Sequence, residues 1–361
     1  VHLLSLRHRG VRNLHPCDFA PSPGLNLFFG PNTGGKTSLL EAIFLLTRPR
    51  SFRTPRIADV VSHGATRLHL AARIETDVAG ALQVDVERGV RCTRVRYNGS
   101  PLRRASEQAR SLPLCLVTPE SHELLTGGPQ ERRRWLDWGL FHVEPGYAGH
   151  WSEYHAALRQ RNALLRRQAP MREYAAWETV METSAAPLHH ARQGYLGRLD
   201  GEVQGLCGRL GLPAVSLELE PGWPGQEDLA ACLRRQRGED LRLGHTRWGP
   251  HRAEVVFRAA GRELRSVFSR GQQKALVLAL TVAQGTVMWR CMRKRPLILI
   301  DDVAAELDRA ACRQTLALLA HLGFQTFVTA TEADLVSLED WGAWAMFHVE
   351  RGELTQCRTN N

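Results

Sequence analysis

Apolar and polar positions divide the chain into stretches of different character. Residues 3–14 alternate enough to predict an edge or meander strand. The apolar run Leu25-Asn26-Leu27-Phe28-Phe29 predicts a buried strand, and Leu39, Leu40, Ile43 and Leu46 recur after it at helical spacing. Runs at 67–75, 82–87 and 92–97, punctuated by Gly80, Arg88-Gly89 and Asn98-Gly99, predict an antiparallel meander, and 112–117 a further short strand. From Pro119 the β signals fade. Residues 146–168 and 171–210 are long, polar and helical in pattern, with Leu158, Leu164, Leu165, Leu188, Leu196 and Leu199 as apolar points. A strand at 215–219 and the loop Pro221-Gly222-Trp223-Pro224-Gly225 follow. After residue 240 strands return at 253–258 and 263–267. Then come an apolar helix from 275 to about 289, a buried strand at 297–300, an amphipathic helix at 309–322 and a strand at 324–329. The reading is an α/β domain built from 1–118 and 240–361, with a mainly helical lobe, 119–239, inserted into it.

Composition sets limits. A chain of 361 residues with 43% hydrophobic and 23% charged residues is long enough for two domains or one with a large insertion. No apolar run is expected to span a membrane, and no signal peptide is expected, because Arg7, Arg9 and Arg12 stand in the first fifteen residues. Val1 predicts that an initiator Met is missing. The eight cysteines include no C-x-x-C, which predicts reduced thiols in a cytoplasmic protein and no structural zinc. The net charge of +10 is uneven: about +9 over 1–118, −2 over 119–239 and +3 over 240–361. A basic field of this kind suits nucleic acid or another polyanion. Only Lys36, Lys274 and Lys294 are lysines, so the arginine excess also fits a genomic bias.

The chemistry concentrates at Gly30-Pro31-Asn32-Thr33-Gly34-Gly35-Lys36-Thr37, a G-x-x-x-x-G-K-T phosphate loop between the predicted strand and helix. In that setting backbone N–H groups and the helix dipole attract phosphate. Lys36 is expected on the β- and γ-phosphates, and the Thr37 hydroxyl on Mg²⁺. The loop residues and Ser38 are thus candidate ATP ligands. Leu297-Ile298-Leu299-Ile300-Asp301-Asp302 has the Walker B pattern. Asp301 is the second candidate Mg²⁺ ligand, and Asp302 is placed to orient or deprotonate the attacking water. Ser269-Arg270-Gly271-Gln272 predicts an N-capped helix start with exposed amides, a second anion site about thirty residues earlier. This resembles the signature of ABC-type ATPases, in which one subunit closes over the γ-phosphate held by another. The basic loop Arg48-Pro49-Arg50-Ser51-Phe52-Arg53-Thr54-Pro55-Arg56 and the alternating Arg91, Arg94 and Arg96 are candidate contacts to a DNA backbone. Arg50, Arg53 and Arg56 lead that set, and the other three are expected to share one strand face. A solvated connector is the plain alternative for the loop.

Over essentially its whole length the chain resembles the RecF family of bacterial recombination-repair ATPases, related to SMC heads. The residues carrying the resemblance are Val11-Arg12-Asn13-Leu14, 37–43, 50–54, 129–137, Gly249-Pro250-His251-Arg252, 268–274 and 301–308. The resemblance implies an ABC-type, SMC-head-like P-loop ATPase domain with an inserted mainly helical lobe. It places Arg12 among the ATP-binding residues, Ser269, Arg270, Gly271 and Gln272 as a signature acting in trans, and Asp308 in the D-loop. It further implies an ATP-dependent head-to-tail homodimer, slow hydrolysis, and binding to single- and double-stranded or gapped DNA near the nucleoid. Work with RecR, and with RecO and RecA, follows from it too. Against the family pattern, Thr33 replaces a glycine and, being β-branched, is expected in an ordinary backbone conformation. Asp302 is one methylene shorter than the usual ABC-type Glu, Thr331 is the stand-in for an absent switch histidine, and no Q-loop glutamine stands out near 117–121. His251 and Arg252 either contact nucleotide or brace the lobe. Two other readings remain: a transporter-type ATPase subunit, and the ATPase of a nuclease complex.

Overall fold

The computed structural model describes residues 1–360 except 77–79, 103, 225–227, 265–266 and 304–308. It divides into two compact units, Val1–Ser121 with Arg270–Asn361, and His122–Ser269.

The first unit holds two six-stranded sheets. In one, the strands Trp344–Glu350, Leu25–Phe29, Thr326–Ala330, Leu297–Ile300 and Leu114–Val117 run parallel in that spatial order, and Glu353–Asn360 closes the edge as an antiparallel hairpin partner. The strand Leu297–Ile300 is wholly buried, as its continuous apolar run requires. The other sheet is antiparallel, ordered Cys17–Phe19, His2–Arg9, Arg67–Thr76, Gly80–Gly89, Cys92–Tyr97, Ser100–Pro101. Helix Lys36–Thr47 shares one core with both sheets. Its Leu39, Leu40, Ile43 and Leu46 cluster with Leu68, Leu70, Ile74, Val84 and Val86 of one sheet and with Phe28, Phe327 and Phe347 of the other. A helix enclosed in this way is apolar almost all round, and Thr37 alone of its residues is not buried.

The second unit contains helices Pro129–Val143, Tyr147–Arg166, Ala175–Arg209 and Leu229–Leu243, with a three-stranded antiparallel sheet. That sheet moves the second boundary expected from the sequence. Val215–Glu220 pairs with Glu254–Ala259 over the whole register from Glu254↔Glu220 to Ala259↔Val215. Residues 240–269 therefore belong with the helical unit, and the first unit resumes at Arg270.

Helix Arg270–Met292 is the longest apolar element of the first unit. By length and composition it is apolar enough to cross a membrane, with a mean hydropathy of 1.4, but 78% of that window is buried inside the protein. It is the helix of a core, and its charged residues sit at its ends, Arg270 and Lys274 in the first two turns and Arg290 in the last.

Candidate nucleotide-binding site

The parallel strands deliver the site. Leu25–Phe29 and Leu297–Ile300 flank Thr326–Ala330, so the phosphate loop, the end of the Walker B strand and Thr329 lie side by side at the carboxyl ends of the parallel strands. They line a cleft of about 650 Å³ together with Arg12, Asn13, Arg53, Asp59 and His63.

The loop wraps tightly. Gly30 and Gly35 have φ of 142° and 119°, and a Cβ at Gly35 would lie 2.8 Å from Leu14 Cδ2. Glycine is thus required where backbone must turn and approach an anion. Thr33 also has positive φ, 69°, against the expectation of an ordinary conformation. The surrounding loop overrides the β-branched preference: Asn13 Nδ2 donates to Thr33 O at 3.2 Å, and Thr33 Oγ1 donates to Asn32 O. Lys36 Nζ donates to the carbonyls of Gly30 (2.7 Å) and Pro31 (2.9 Å). Burial pulls the Lys36 ammonium below its usual pKa, opposed by Asp302 and Asp301, so an anion in the loop would relieve it.

One oxygen gathers the rest. Thr37 Oγ1 donates to Asp301 Oδ1 at 3.0 Å, Thr329 Oγ1 donates to the same atom at 2.7 Å, and the Asp302 N–H donates to Thr329 Oγ1 at 2.7 Å. Burial raises the Asp301 pKa, with the Thr329 and Thr37 hydroxyls working against it. Buried oxygen donors of this type, beside a glycine-lined cradle, fit Mg²⁺ and a phosphate chain. Asp302 has φ 52° and lines the cleft. Thr329 lines the cleft, and Thr331, expected as the switch residue, is not among the described lining residues.

Two supports were not foreseen from sequence. Glu41 is fully buried in the loop helix and receives Arg12 in a fork, Nε to Oε2 at 2.8 Å and Nη2 to Oε1 at 2.9 Å. Ser51 also donates to it, and Arg53 stands 3.8 Å away. Thus Arg12 reaches the cleft already committed to a carboxylate, and Arg53, expected on DNA, lies at the nucleotide rim. The capacity of Glu at helix position Lys36 plus five to anchor arginines was visible only as a charge in an apolar run. The second support is Gly352, at the turn of the C-terminal hairpin. It donates to Gly34 O at 2.8 Å, and its carbonyl accepts from the His15 N–H at 2.9 Å.

The other candidates disperse. Ser269 directly precedes the first residue of helix Arg270–Met292, at the N-cap position; Ser269, Arg270 and Gly271 are exposed and Gln272 is half-buried. Asp308 lies outside the described residues. Arg50 and Arg56 are exposed in their loop. Arg94 and Arg96 share a strand face, but Arg91 falls in the turn before the strand, so the expected triple on one face is a pair. His251 is resolved as a brace: Tyr154 Oη bonds its Nδ1 at 2.7 Å, Thr246 O lies 3.1 Å from Nε2, and burial lowers its pKa to about 3. The two segments 129–137 and 249–254 meet within the second unit. Arg132 forks onto Glu254 at 2.8 and 2.9 Å, and Arg192 bonds both Asp137 (3.0 Å) and the Pro250 carbonyl (2.7 Å).

A family model described as RecF/RecN/SMC N terminal domain matches residues 2–353. The chain is 41% identical over 354 residues to a DNA replication and repair protein RecF of Thioalkalivibrio sulfidiphilus (strain HL-EbGR7), covering 97% of this chain and 98% of that one. It is 36% identical over 361 residues to the protein of the same name from Nitrosococcus oceani, covering 99% of each. A solved structure of the recombination mediator protein RecF-ATPrS in the RecFOR pathway superposes with a TM-score of 0.89 at 23% identity, covering 99% of this chain and 98% of that one. An SmcHead bound to the C-winged helix domain of ScpA superposes with a TM-score of 0.61 at 15% identity, over 99% and 97% of the two chains. The fold is accordingly that of an ABC-type, SMC-head-like ATPase.

Proposed function

The chain belongs to the RecF family, and from that premise we propose that it is an ATP-dependent DNA-binding protein of recombination repair. Its carrying observation is the Thr37–Asp301–Thr329 chain of hydrogen bonds inside the cleft that also holds the glycine loop and Lys36. ATP is bound with its phosphates on the loop amides and Lys36. Mg²⁺, held by Thr37 Oγ1 and Asp301, would neutralise charge developing on the phosphates. Asp302 orients the attacking water, and hydrolysis is weak and DNA-stimulated.

Two copies associate head to tail when ATP is bound, and Ser269, Arg270, Gly271 and Gln272 of one close over the nucleotide of the other. The exposure of Ser269, Arg270 and Gly271 supports this, since a closing surface must face solvent. Hydrolysis then releases the dimer from DNA. The same reading makes the protein cytoplasmic, with RecR as partner and with RecO and RecA as the machinery it serves.

The solvent face of the antiparallel sheet is the DNA surface this reading favours. Arg9, Arg73 and Arg96 are exposed on three of its strands, and Arg94, 3.7 Å from Glu87, extends the row. Arg50 and Arg56 add cations on a neighbouring loop of the same unit. Backbone contacts of this type give a salt-dependent affinity with little sequence preference. Replacing Arg73, Arg94 and Arg96 together by Ala should weaken duplex binding and lower the salt slope by roughly one counterion per lost phosphate contact. An unchanged slope in a filter-binding titration would place the DNA elsewhere.

A further inference from the structure

The second unit carries a cleft that the nucleotide site does not use. It has a volume of about 470 Å³ and is lined by Pro221, Gly222, Trp223, Arg247, Trp248 and Arg252, among others. Trp223 and Trp248 are both half-buried, so each leaves indole surface toward solvent, while Arg252 is exposed.

The walls are fixed rather than loose. Gly222 has φ 87°, and a Cβ there would lie 2.4 Å from Ala253 N and 2.6 Å from Gly249 O. The Gly249 N–H donates to the Gly222 carbonyl at 3.0 Å. Gly249 itself has φ 135°. The tryptophan loop is therefore locked onto the Gly249–Ala253 turn, which His251 and Arg192 anchor from beneath. A cleft organised before binding loses little on binding.

Its charge calls for an anion. Among the described residues no carboxylate pairs with Arg252, whereas Arg247 is held by Glu239 at 3.1 Å. Arg133 is bound to the Ala253 carbonyl rather than to a carboxylate. The Arg133 guanidinium is disfavoured first by burial, then by the nearby cations Arg192 and, less strongly, Arg252. Among the described residues Glu220 is the one acid that lines the cleft, and Asp137 is already taken up by Arg192. Two indoles, proline walls and an exposed guanidinium in one rigid cleft match a planar ring that carries a phosphate. Stacking of bases on aromatic side chains, with arginine on the backbone, is the general chemistry of single-strand recognition.

We propose that this cleft is a subsite for single-stranded DNA, taking a base against Trp223 and Trp248 and its phosphate on Arg252. The inference rests on the DNA-binding reading but assigns it a second surface, separate in kind from the cationic sheet face.

The test is a fluorescence-anisotropy titration of the full chain with a short oligothymidylate and with a duplex of equal length. Trp223→Ala and Arg252→Gln should each weaken oligothymidylate binding by about tenfold, leaving duplex binding as in the parent. Trp223→Phe should retain most of the affinity, which separates stacking from loss of fold. Oligothymidylate affinities equal to the parent's in all three variants, with duplex binding intact, would overturn the subsite and leave the DNA reading standing. A parent that binds neither nucleic acid would overturn that reading and the subsite with it. Displacement of nothing by oligothymidylate, but Trp223-dependent binding of an Asp/Glu-rich peptide, would make the cleft a peptide site and overturn the proposal.

Discussion

Glu41 shows how much of a phosphate site lies in residues that touch no phosphate. It is fully buried, and its two oxygens hold Arg12 in a fork and accept from Ser51. Removing one partner of a buried charged pair leaves the other unsatisfied. Glu41→Ala should therefore cost about 2–3 kcal/mol and let Arg12 drift across the cleft. The expected readout is a lower thermal midpoint together with loss of most of the rise that ATP produces in the parent. A variant that melts lower but keeps the full ATP-dependent rise would make Glu41 a fold residue only. Two histidines carry a separate signature. Burial depresses His8 to about 4 and His251 to about 3, from 6.5 in the unfolded chain. Between those values the unfolded chain binds protons that the folded chain refuses. Stability is thus full above about pH 6.5 and is lost as pH falls, by up to about 1.4 kcal/mol per pH unit for each residue. A thermal midpoint that holds constant from pH 7 to pH 5 would contradict this, and His251→Gln should flatten part of the slope.

At the scale of elements, the C-terminal hairpin decides the shape of the phosphate loop. Gly352 sits at its turn with φ 85°, and a Cβ there would lie 2.0 Å from Asn13 O. Gly352→Val should displace both Asn13 and Gly34, weakening ATP binding at least tenfold by equilibrium dialysis while leaving the second unit's helices intact by circular dichroism. ATP affinity equal to the parent's would show that the hairpin only caps the sheet. This element also marks where sequence reading runs out. The phosphate loop, its helix, the Walker B strand and the long helices near 147–166 and 175–209 are written in local periodicity and spacing. The hairpin is not: Glu353–Asn360 is exposed at seven of its eight positions, so it carries no apolar alternation, and only its partner strand tells its place. The boundary at 240 failed for a related reason. Val215–Glu220 and Glu254–Ala259 are close only through a pairing across more than thirty residues, which no window detects. Thr33 departs from expectation at finer grain. Its neighbours force it into positive φ, which no local propensity signals.

At the scale of the whole molecule, the nucleotide cleft and the exposed helix start at Arg270 belong to one chain. The net charge of +10 suits a polyanionic partner and a salt-sensitive encounter. Because Asp301 is raised by burial, a divalent cation must displace a proton there in acid, so Mg²⁺-dependent association should strengthen as pH rises through the Asp301 pKa. The most direct measurement is sedimentation velocity of the parent, Lys36→Arg and Ser269→Arg, each with ATP and Mg²⁺, with and without gapped DNA. The parent is expected to be a dimer with ATP, and both variants monomers. A parent that stays monomeric with ATP, Mg²⁺ and DNA all present, or a Ser269→Arg protein that dimerises like the parent, would contradict this.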